Sequence, residues 1–381
     1  MDKKSIGKAG WLLSFFVFLF LAASSSFAQV ATDPNFKVAF IGDSGAGNNF
    51  RDVLNLIKSE GAQAVLHQGD FAYSSPISTW TSVIDSVLGA NFPYFASDGN
   101  HDNWSQYTPF FKAHISAAGL DPNALNSDSY SLVYKGLKLV FSKENGNATF
   151  IQQQLANDNH IWKVCSWHKN MTTMQLGTKG NEQGWGDYEE CRKAGAIIAT
   201  AHEHTYERTK TLTNIQSLTV DTAQHPISNG VPGNPNSVLV APGKTFVFVS
   251  GLGGNGPRNQ DRCLPFTYPY GGGSGCNYIW ASVYTTDQAS TLNASPFGAL
   301  FISFNVDGNP NKARGYFKTV TGQTIDQFEI NKSSTPPPPG TPTPTPTSGG
   351  LSPTRTPTPA PGTPTPTPIP GACTFWQGYG T

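Results

Sequence analysis

Five short motifs along the chain carry side chains that can bind metal ions. They contain aspartate, asparagine, tyrosine and histidine but no cysteine, and each of the first three follows an apolar run typical of a β-strand. Such oxygen and imidazole ligands suit hard or borderline cations, and ligands at the ends of successive strands are what a two-metal hydrolytic site requires. In chain order the motifs are Asp43-Ser44-Gly45, Gly69-Asp70-Phe71-Ala72-Tyr73, Gly99-Asn100-His101-Asp102, His168 and His202-Glu203-His204.

Two metal ions held side by side need a ligand that touches both. A carboxylate can do this because each of its oxygens can bind one ion, and we assign this bridging role to Asp70. Two ions about 3.5–4 Å apart can clamp a phosphate group and lower the pKa of a bound water to near neutrality, so that hydroxide becomes the nucleophile. At the last motif, a His-x-His pair on a strand would point His202 and His204 to one face.

The elements that must position these motifs alternate along the first half of the chain. Apolar segments that precede the motifs predict strands at 36–42, 64–68, 93–96, 161–167 and 195–200. Helical spacing of apolar residues predicts helices at 49–59, 78–88, 104–118, 148–157 and 187–194. Further strands are predicted at 129–134, 137–141, 245–250, 299–305, 313–319 and 324–330. About ten strands with helices between them indicate an α/β (α+β) fold with two packed mixed sheets flanked by helices.

The five motifs, in this order, resemble those of the calcineurin-like metallophosphoesterases. Tyr73, which comes three residues after Asp70, is similar to the tyrosine of the purple acid phosphatase branch. The resemblance runs from about Lys37 to Ile330. It implies a four-layer sandwich and a metal-dependent enzyme that hydrolyses phosphate esters.

The resemblance also implies two ligand sets that share one aspartate. The first ion, ferric iron, would be bound by Asp43, Asp70, Tyr73 and His204. The second ion, ferrous iron, zinc or manganese, would be bound by Asp70, Asn100, His168 and His202. Tyr73 as a phenolate would stabilise the ferric state and give a visible charge-transfer colour.

The third motif supplies the groups that would act on the substrate. By the same resemblance, Asn100 and His101 would contact the phosphate, and His101 would protonate the leaving group as a general acid. Asp102 would orient His101 through a hydrogen bond.

The chain departs from the family pattern at three places. Ala201 stands where a glycine usually precedes the His-x-His pair, and Cys165 stands where a valine is usual. No further histidine occurs in 169–188, where some members place substrate-binding imidazoles. Lys169 or Asn170 is the candidate to contact phosphate there.

The two ends of the chain differ in composition from its centre. A basic start, an apolar run from Trp11 to Ala23 and small residues at Ser26 and Ala28 indicate a signal peptide over 1–28, with a membrane-anchoring helix as the alternative. A catalytic domain is expected over 29–332, without a membrane span after cleavage. The predicted Thr/Pro-rich disordered linker, 333–370, could tether the domain to a cell surface, and 371–381 is a short tail of unknown role.

Charge and cysteine usage exclude some function classes. The chain has 25 Lys and Arg against 25 Asp and Glu and carries no basic block, so it gives no nucleic-acid-binding signal. None of its five cysteines has the spacing of a zinc ribbon. Cys263 and Cys276 could form a disulfide, and Cys165 either pairs with Cys191 or is a buried thiol. We also expect the Gly251–Gly256 run, which lacks the Lys-Ser/Thr of a P-loop, to frame the mouth of the active site.

These observations favour a secreted, binuclear metal-dependent phosphatase of the acid phosphatase type that hydrolyses small phosphomonoesters. A phosphodiesterase or nucleotidase with the same metal centre is the first alternative. The second is a non-catalytic binding module displayed at the cell surface. The intact set of ligands argues against the second alternative, because a binding module has no need to keep Asp70, Asn100 and His101.

Overall fold

The computed structural model describes residues 28–177, 179–259 and 276–333, in which strands and helices alternate over the first half. The strands are β1 (Phe36–Ile41), β2 (Ala64–Gln68), β3 (Tyr94–Ser97), β4 (Tyr130–Tyr134), β5 (Leu137–Phe141), β6 (Lys163–Ser166), β7 (Ile197–Thr200), β8 (Tyr206–Thr209), β9 (Leu212–Asn214), β10 (Thr219–Val220), β11 (Ile227–Ser228), β12 (Val231–Pro232), β13 (Ser237–Val240), β14 (Val247–Ser250), β15 (Trp280–Tyr284), β16 (Gly298–Phe304), β17 (Lys312–Thr319) and β18 (Thr324–Lys332). The helices are α1 (Asn48–Ser59), α2 (Ile77–Val87), α3 (Trp104–Ala117), α4 (Ala148–Leu155), α5 (Trp185–Lys193), α6 (Cys276–Ile279) and α7 (Thr286–Leu292).

Most strands belong to two seven-stranded mixed sheets. The strand order is β13-β18-β17-β16-β1-β2-β3 in the first sheet and β15-β8-β14-β7-β6-β5-β4 in the second. Strands β1, β2 and β3 run parallel to one another, as do β5, β6 and β7. Loops that follow parallel neighbours leave the sheet at the same edge, which is where open α/β sheets bind ligands.

The two sheets pack face to face over a shared apolar core. The rings of Phe40 on β1 and Phe248 on β14 meet edge to face at 5.2 Å, and Tyr206 stacks on Phe317 at 4.3 Å. Helices α1 to α3 bury their apolar faces in the same core as the first sheet, while α4 and α5 pack with residues of the second sheet in a separate cluster. This arrangement confirms the predicted four-layer sandwich.

The apolar spacing of α1 and α2 explains why they lie behind the strands of the first sheet. Phe50, Val53 and Ile57 recur at helical spacing on α1 and are fully buried. Trp80 of α2 is also fully buried and lies parallel to Phe50, with the ring centroids 6.0 Å apart. Burial of each such side chain contributes about 1.5–3 kcal/mol, which holds the helices against β1 and β2 and so fixes the loops that follow those strands.

A disulfide joins the second sheet to the outer helix α5. Cys165 on β6 is bonded to Cys191 on α5, so the pairing left open by the sequence is decided for these two residues. The other expected pairing, Cys263 with Cys276, lies outside the described side chains. The predicted leader, linker and tail also fall outside the described residues, apart from Ala28 and Ser333.

Two predictions of local structure need correction. The His202-x-His204 pair was predicted on a strand, but residues 201–205 bend between β7 and β8, and His202 has a left-handed backbone with φ of 71°. The Gly/Pro/Asn-rich segment 205–244, for which the sequence predicted no strand, contains short strands, of which β13 pairs in parallel with β18 at the edge of the first sheet. Its many turn residues concealed a strand of only four residues. In the described part of the chain, no helix has the length and apolar character needed to span a bilayer.

Candidate metal centre

The five motifs meet at one edge of the sandwich. Asp43, Asp70 and His101 lie in the loops after β1, β2 and β3, whereas His168 and His202 follow β6 and β7. Because β1 to β3 are parallel neighbours in one sheet and β6 and β7 in the other, their loops converge from both sheets. The topology therefore supplies the site with ligands from two layers.

Strained backbone accompanies the motifs. Asp43, Asp70, Tyr73 and His202 all have φ between 51° and 71°, in the left-handed region that side chains other than glycine rarely adopt. Such conformations persist only where the surrounding structure enforces them, and they cluster at functional sites. The positive φ values of these four residues therefore mark the motif loops as a candidate functional site.

One group of side chains forms around Asp43. The Tyr73 hydroxyl donates to Asp43 Oδ1 at 3.0 Å, and His204 Nε2 lies 3.2 Å from both the same oxygen and the Tyr73 hydroxyl. The second oxygen, Oδ2, accepts the backbone N–H of His202 at 2.9 Å. Three of the predicted ligands of the first ion are thus in mutual contact.

A second group forms around Asp70. Its Oδ2 lies 3.3 Å from His168 Nε2, and that nitrogen lies 3.1 Å from His202 Nδ1. One ligand atom from each of these three residues lies within 4.8 Å of the other two, and all three residues are buried. This is the spacing expected of atoms that surround a single cation.

The hydrogen bonds of the outer ring nitrogens show that the inner nitrogens present lone pairs. His168 donates from Nδ1 to the Gln68 carbonyl at 2.6 Å, and His202 donates from Nε2 to the Glu182 carboxylate at 2.9 Å. In their neutral forms the two rings therefore face each other with acceptor nitrogens at 3.1 Å. Positive charge must lie between them, either a proton or a metal ion. The donor set fits a hard or borderline divalent cation.

The pKa shifts of His168 and His202 show that the Asp70 carboxylate favours one positive charge in this group, not two. Burial disfavours the charged form of His168, but the Asp70 carboxylate outweighs it and raises the pKa of His168 to about 9. Burial, joined by the positive charges of His168 and Lys179, lowers the pKa of His202 to about 2. Without a metal ion, a proton on His168 balances Asp70; a bound cation would replace that proton.

The surroundings of Tyr73 disfavour its phenolate form unless a cation is bound beside it. Burial raises the pKa of its hydroxyl far above the usual value, and the carboxylates of Asp43 and Asp70 act in the same direction. A phenolate at this position therefore requires a cation beside it. The contacts of Tyr73 with Asp43 and His204 place it where the first ion is predicted.

The third motif lies directly against Asp70. The backbone N–H of His101 donates to Asp70 Oδ1 at 3.0 Å, and the His101 Nε2 atom is 4.0 Å from Asp70 Oδ2. The His101 ring packs 4.9 Å from the Tyr73 ring, and its side chain is 54% exposed. Asn100 is exposed next to it in the same loop. His101 is thus both near the ligands and open to a substrate.

Asp102 has a different partner from the one predicted. Its Oδ2 accepts the backbone N–H of Asp70 at 2.7 Å and that of Gly99 at 2.9 Å, and its Oδ1 accepts the N–H of Phe71 at 2.9 Å. The expectation that it orients the His101 ring is therefore not supported by its hydrogen bonds. Asp102 instead ties the second motif to the third and fixes the backbone that carries Asp70.

Two glycines permit close approach of the loops. A Cβ atom on Gly99 would lie 2.2 Å from Asp70 Oδ1, so a side chain at Gly99 would displace the bridging candidate. A Cβ atom on Gly42 would lie 2.3 Å from the Ala201 Cβ. The alanine that replaces the usual glycine at position 201 is therefore accommodated because the opposite residue is itself a glycine.

The glycine-rich run borders the site as predicted. The N–H of Gly253 donates to the Gly42 carbonyl at 3.0 Å, and the N–H of Asn255 donates to the Asp43 carbonyl at 2.9 Å. The Gly256 carbonyl accepts from His204 Nδ1 at 2.7 Å, which turns the Nε2 lone pair of that ring toward Asp43. The run thus orients one ligand candidate.

The loop between β6 and α5 contributes residues that the sequence did not single out. Glu182 contacts His202, as described above, and Lys179 Nζ donates to the His202 carbonyl. The candidates named from the sequence lie elsewhere. Asn170 is fully buried with its amide bonded to Ala201, and Lys169 pairs with Glu144 at 3.6 Å. Glu182 and Lys179 lie outside the five motifs, and no motif spacing points to them.

Comparison with known proteins gives a family for the site-bearing region. The sequence model described as Calcineurin-like phosphoesterase matches residues 36–206, which include all five motifs. The chain contains a calcineurin-like phosphoesterase domain. This family match implies a metal-dependent phosphoester hydrolase, and the cluster of Asp70, His168 and His202 is the candidate metal site.

Two solved structures are similar to the chain at low identity. Purple acid phosphatase PPD1 from yellow lupin (Lupinus luteus) seeds is 17% identical with a TM-score of 0.49, and the match covers 80% of this chain and 56% of that enzyme. PhoD is 10% identical with a TM-score of 0.47, over 80% of this chain and 71% of PhoD. The chain thus spans just over half of the lupin enzyme. No curated protein sequence matches the chain at a significant level.

Proposed function

We propose that this calcineurin-like phosphoesterase domain is a phosphatase that hydrolyses small phosphomonoesters at a two-metal centre. The observation that carries the proposal is the convergence of the Asp70, His168 and His202 donor atoms within 4.8 Å, with the Nε2 atom of His101 4.0 Å from Asp70. This closeness supports a role for the three donor residues in binding a cation and for the exposed imidazole of His101 as the acid–base group beside it.

The proposed ligand sets are those implied by the motifs. Fe³⁺ would be held by Asp43, Asp70, Tyr73 and His204. Fe²⁺, Zn²⁺ or Mn²⁺ would be held by Asp70, Asn100, His168 and His202. When bound, two such ions neutralise phosphate charge and supply hydroxide at neutral pH.

The protein's own groups would orient the ester and move a proton. Asn100 and His101 are exposed neighbours in the loop that contacts Asp70 through His101, and from this loop they would bind phosphate oxygens. The link from the His101 backbone to Asp70 Oδ1 sets the distance between the imidazole and the centre. From there His101 would donate a proton to the oxygen of the departing alcohol, which matters most when that alcohol is a poor leaving group.

We further propose that the domain is exported. A disulfide between Cys165 and Cys191 is typical of proteins that mature in an oxidising compartment, which agrees with the predicted leader at 1–28. The Thr/Pro-rich segment 333–370 would then act as an extended linker that tethers the domain to a cell surface.

The test compares two substrates on the purified chain. An aryl phosphate monoester and the matching diester are offered to protein supplied with iron and zinc, with Asp70→Asn as the blank. We expect the monoester to be turned over faster. Faster turnover of the diester would reassign the domain as a phosphodiesterase, and no turnover of either ester by metal-loaded protein would favour a non-catalytic binding module.

A further inference from the structure

The three imidazoles of the centre differ in what holds the ring nitrogen that faces away from it. For His168 and His204 this partner is a backbone carbonyl oxygen. For His202 it is the side-chain carboxylate of Glu182, whose Oε2 lies 2.9 Å from Nε2. Among these three rings, only His202 has a partner that carries charge and that a substitution can remove.

We propose that Glu182 is a positioning residue for the metal centre, acting through His202. By accepting the Nε2–H, its carboxylate keeps His202 in the tautomer whose Nδ1 lone pair faces His168 and Asp70. A carboxylate on the outer nitrogen also makes an imidazole a more basic ligand, and loss of such a partner typically lowers metal affinity 10–100-fold. The inference rests on the proposed function because it takes this cluster to be a metal site.

A buried residue ties the backbone of Glu182 to the turn that carries His202. The N–H of Glu182 donates to the Asn170 carbonyl at 3.0 Å, and the Asn170 side chain donates to the Ala201 carbonyl at 2.7 Å. The hydroxyl of Tyr188 donates to the side-chain oxygen of Asn170, Oδ1, at 3.0 Å. Since Asn170 is completely buried, the spacing between Glu182 and the residue before His202 is set by a rigid link.

The residue after Glu182 is anchored as well. Gln183 donates to Asp187 Oδ2 at 2.7 Å, and the same oxygen accepts from the Ser142 hydroxyl at 2.8 Å and the Asn147 N–H at 3.0 Å. This network joins the start of α5 to the start of α4. Glu182 is therefore presented to His202 from an anchored loop, with its side chain 32% exposed.

This loop is the region in which the chain lacks the extra histidines of some relatives. The carboxylate of Glu182 acts on a ligand rather than on a substrate, because it contacts the His202 ring at Nε2 while Nδ1 faces His168. The prediction is thus a loss in metal affinity that is confined to the site formed by Asp70, His168 and His202. Binding at the Asp43, Tyr73 and His204 group should be unchanged.

The experiment titrates zinc into the full chain after chelator treatment, in competition with a fluorescent chelator. We expect Glu182→Ala to weaken one of two zinc sites by about 10–100-fold and leave the other as it was. Glu182→Gln keeps an oxygen that can accept the Nε2–H and should recover part of the loss. The control, Glu144→Gln, removes a carboxylate that pairs with Lys169 and should bind zinc like the unsubstituted chain.

A second measurement follows the ring itself by ¹⁵N NMR of the imidazoles. The unsubstituted chain should show His202 as the Nε2–H tautomer, and Glu182→Ala should show a mixture. Equal zinc affinity and an unchanged tautomer in Glu182→Ala would overturn the role of Glu182 alone, provided the unsubstituted chain binds zinc and hydrolyses phosphate esters. An unsubstituted chain that bound no zinc would overturn this role and the proposed function together.

Discussion

Two buried clusters of charge in this protein are built in opposite ways. Between the sheets, Arg208 donates Nε to Asp326 Oδ2 at 2.6 Å and Nη2 to Oδ1 at 2.9 Å, and Tyr206 donates to Oδ2 at 2.7 Å. Each charge of that cluster faces its opposite. At the edge of the sandwich, Asp70 and His168 instead share a small space with His202, whose inner nitrogen is an acceptor.

The difference separates a structural cluster from a functional one. A buried ion pair with all its hydrogen bonds made is complete, and additional charge would only unbalance it. A group of converging acceptors is incomplete until a cation joins it, and the remaining hydrogen bonds of its members keep those acceptors aimed inward. Removing a carboxylate should therefore harm stability in the first cluster and metal binding in the second.

The largest effect is expected for Asp70→Asn. This change removes the bridging charge, so metal occupancy should fall and hydrolysis of an aryl phosphate should drop by about 10³-fold or more. The free energy of unfolding of the metal-free protein should change little. Full activity in Asp70→Asn, measured with metals present in excess, would remove this residue from the centre.

The matched change in the other cluster is Asp326→Asn. It leaves the Arg208 charge buried without its partner, which should lower the free energy of unfolding by about 3–5 kcal/mol in urea titrations. Folded protein should keep its metals and its rate. A double replacement, Arg208→Met with Asp326→Leu, should restore part of the stability. Loss of metals from folded Asp326→Asn would show that the two clusters are not independent.

A smaller effect is expected for His101→Ala, which leaves the ligands in place. The metals should stay bound, while turnover falls by about 10²-fold for alkyl phosphates and less for aryl phosphates with good leaving groups. The comparison of the two substrates is the control. Unchanged rates on alkyl phosphates would rule out His101 as the proton donor.

The mildest change is Tyr73→Phe, which removes one hydroxyl from the Asp43 group. If the first ion is ferric and bound by the phenolate, the substitution should abolish a visible absorption band while zinc binding at the other site persists. An absorption spectrum identical to that of the unsubstituted chain would exclude Tyr73 as a ligand.

The sequence predicted those parts of the molecule in which residue type and strand position carry the information. The layers and the helices α1 to α5 follow from apolar spacing, and the contacts of Asp43, Asp70, His168 and His204 agree with motifs placed at the ends of strands. Asp43, Asp70 and His168 each lie two residues after the end of a strand, so the local pattern already contains their place in the fold.

The remaining features depend on contacts between distant segments. Asp102 was predicted to orient His101, but it binds backbone N–H groups of the second motif, which approaches only in the folded chain. Glu182 went unnoticed because its place beside His202 is set by Asn170 and Asp187 rather than by a local pattern. Lys169 was chosen for its position after His168, yet it pairs with Glu144.

The most direct test of whether the cluster of Asp70, His168 and His202 binds metal is the metal content of the purified full chain, measured by mass spectrometry. The unsubstituted chain and folded Asp326→Asn should each retain two metal ions per chain, as a binuclear centre requires, and Asp70→Asn should retain fewer. Equal metal content in Asp70→Asn and the unsubstituted chain, or none in either after supply of iron and zinc, would contradict the assignment of the converging acceptors to metal binding.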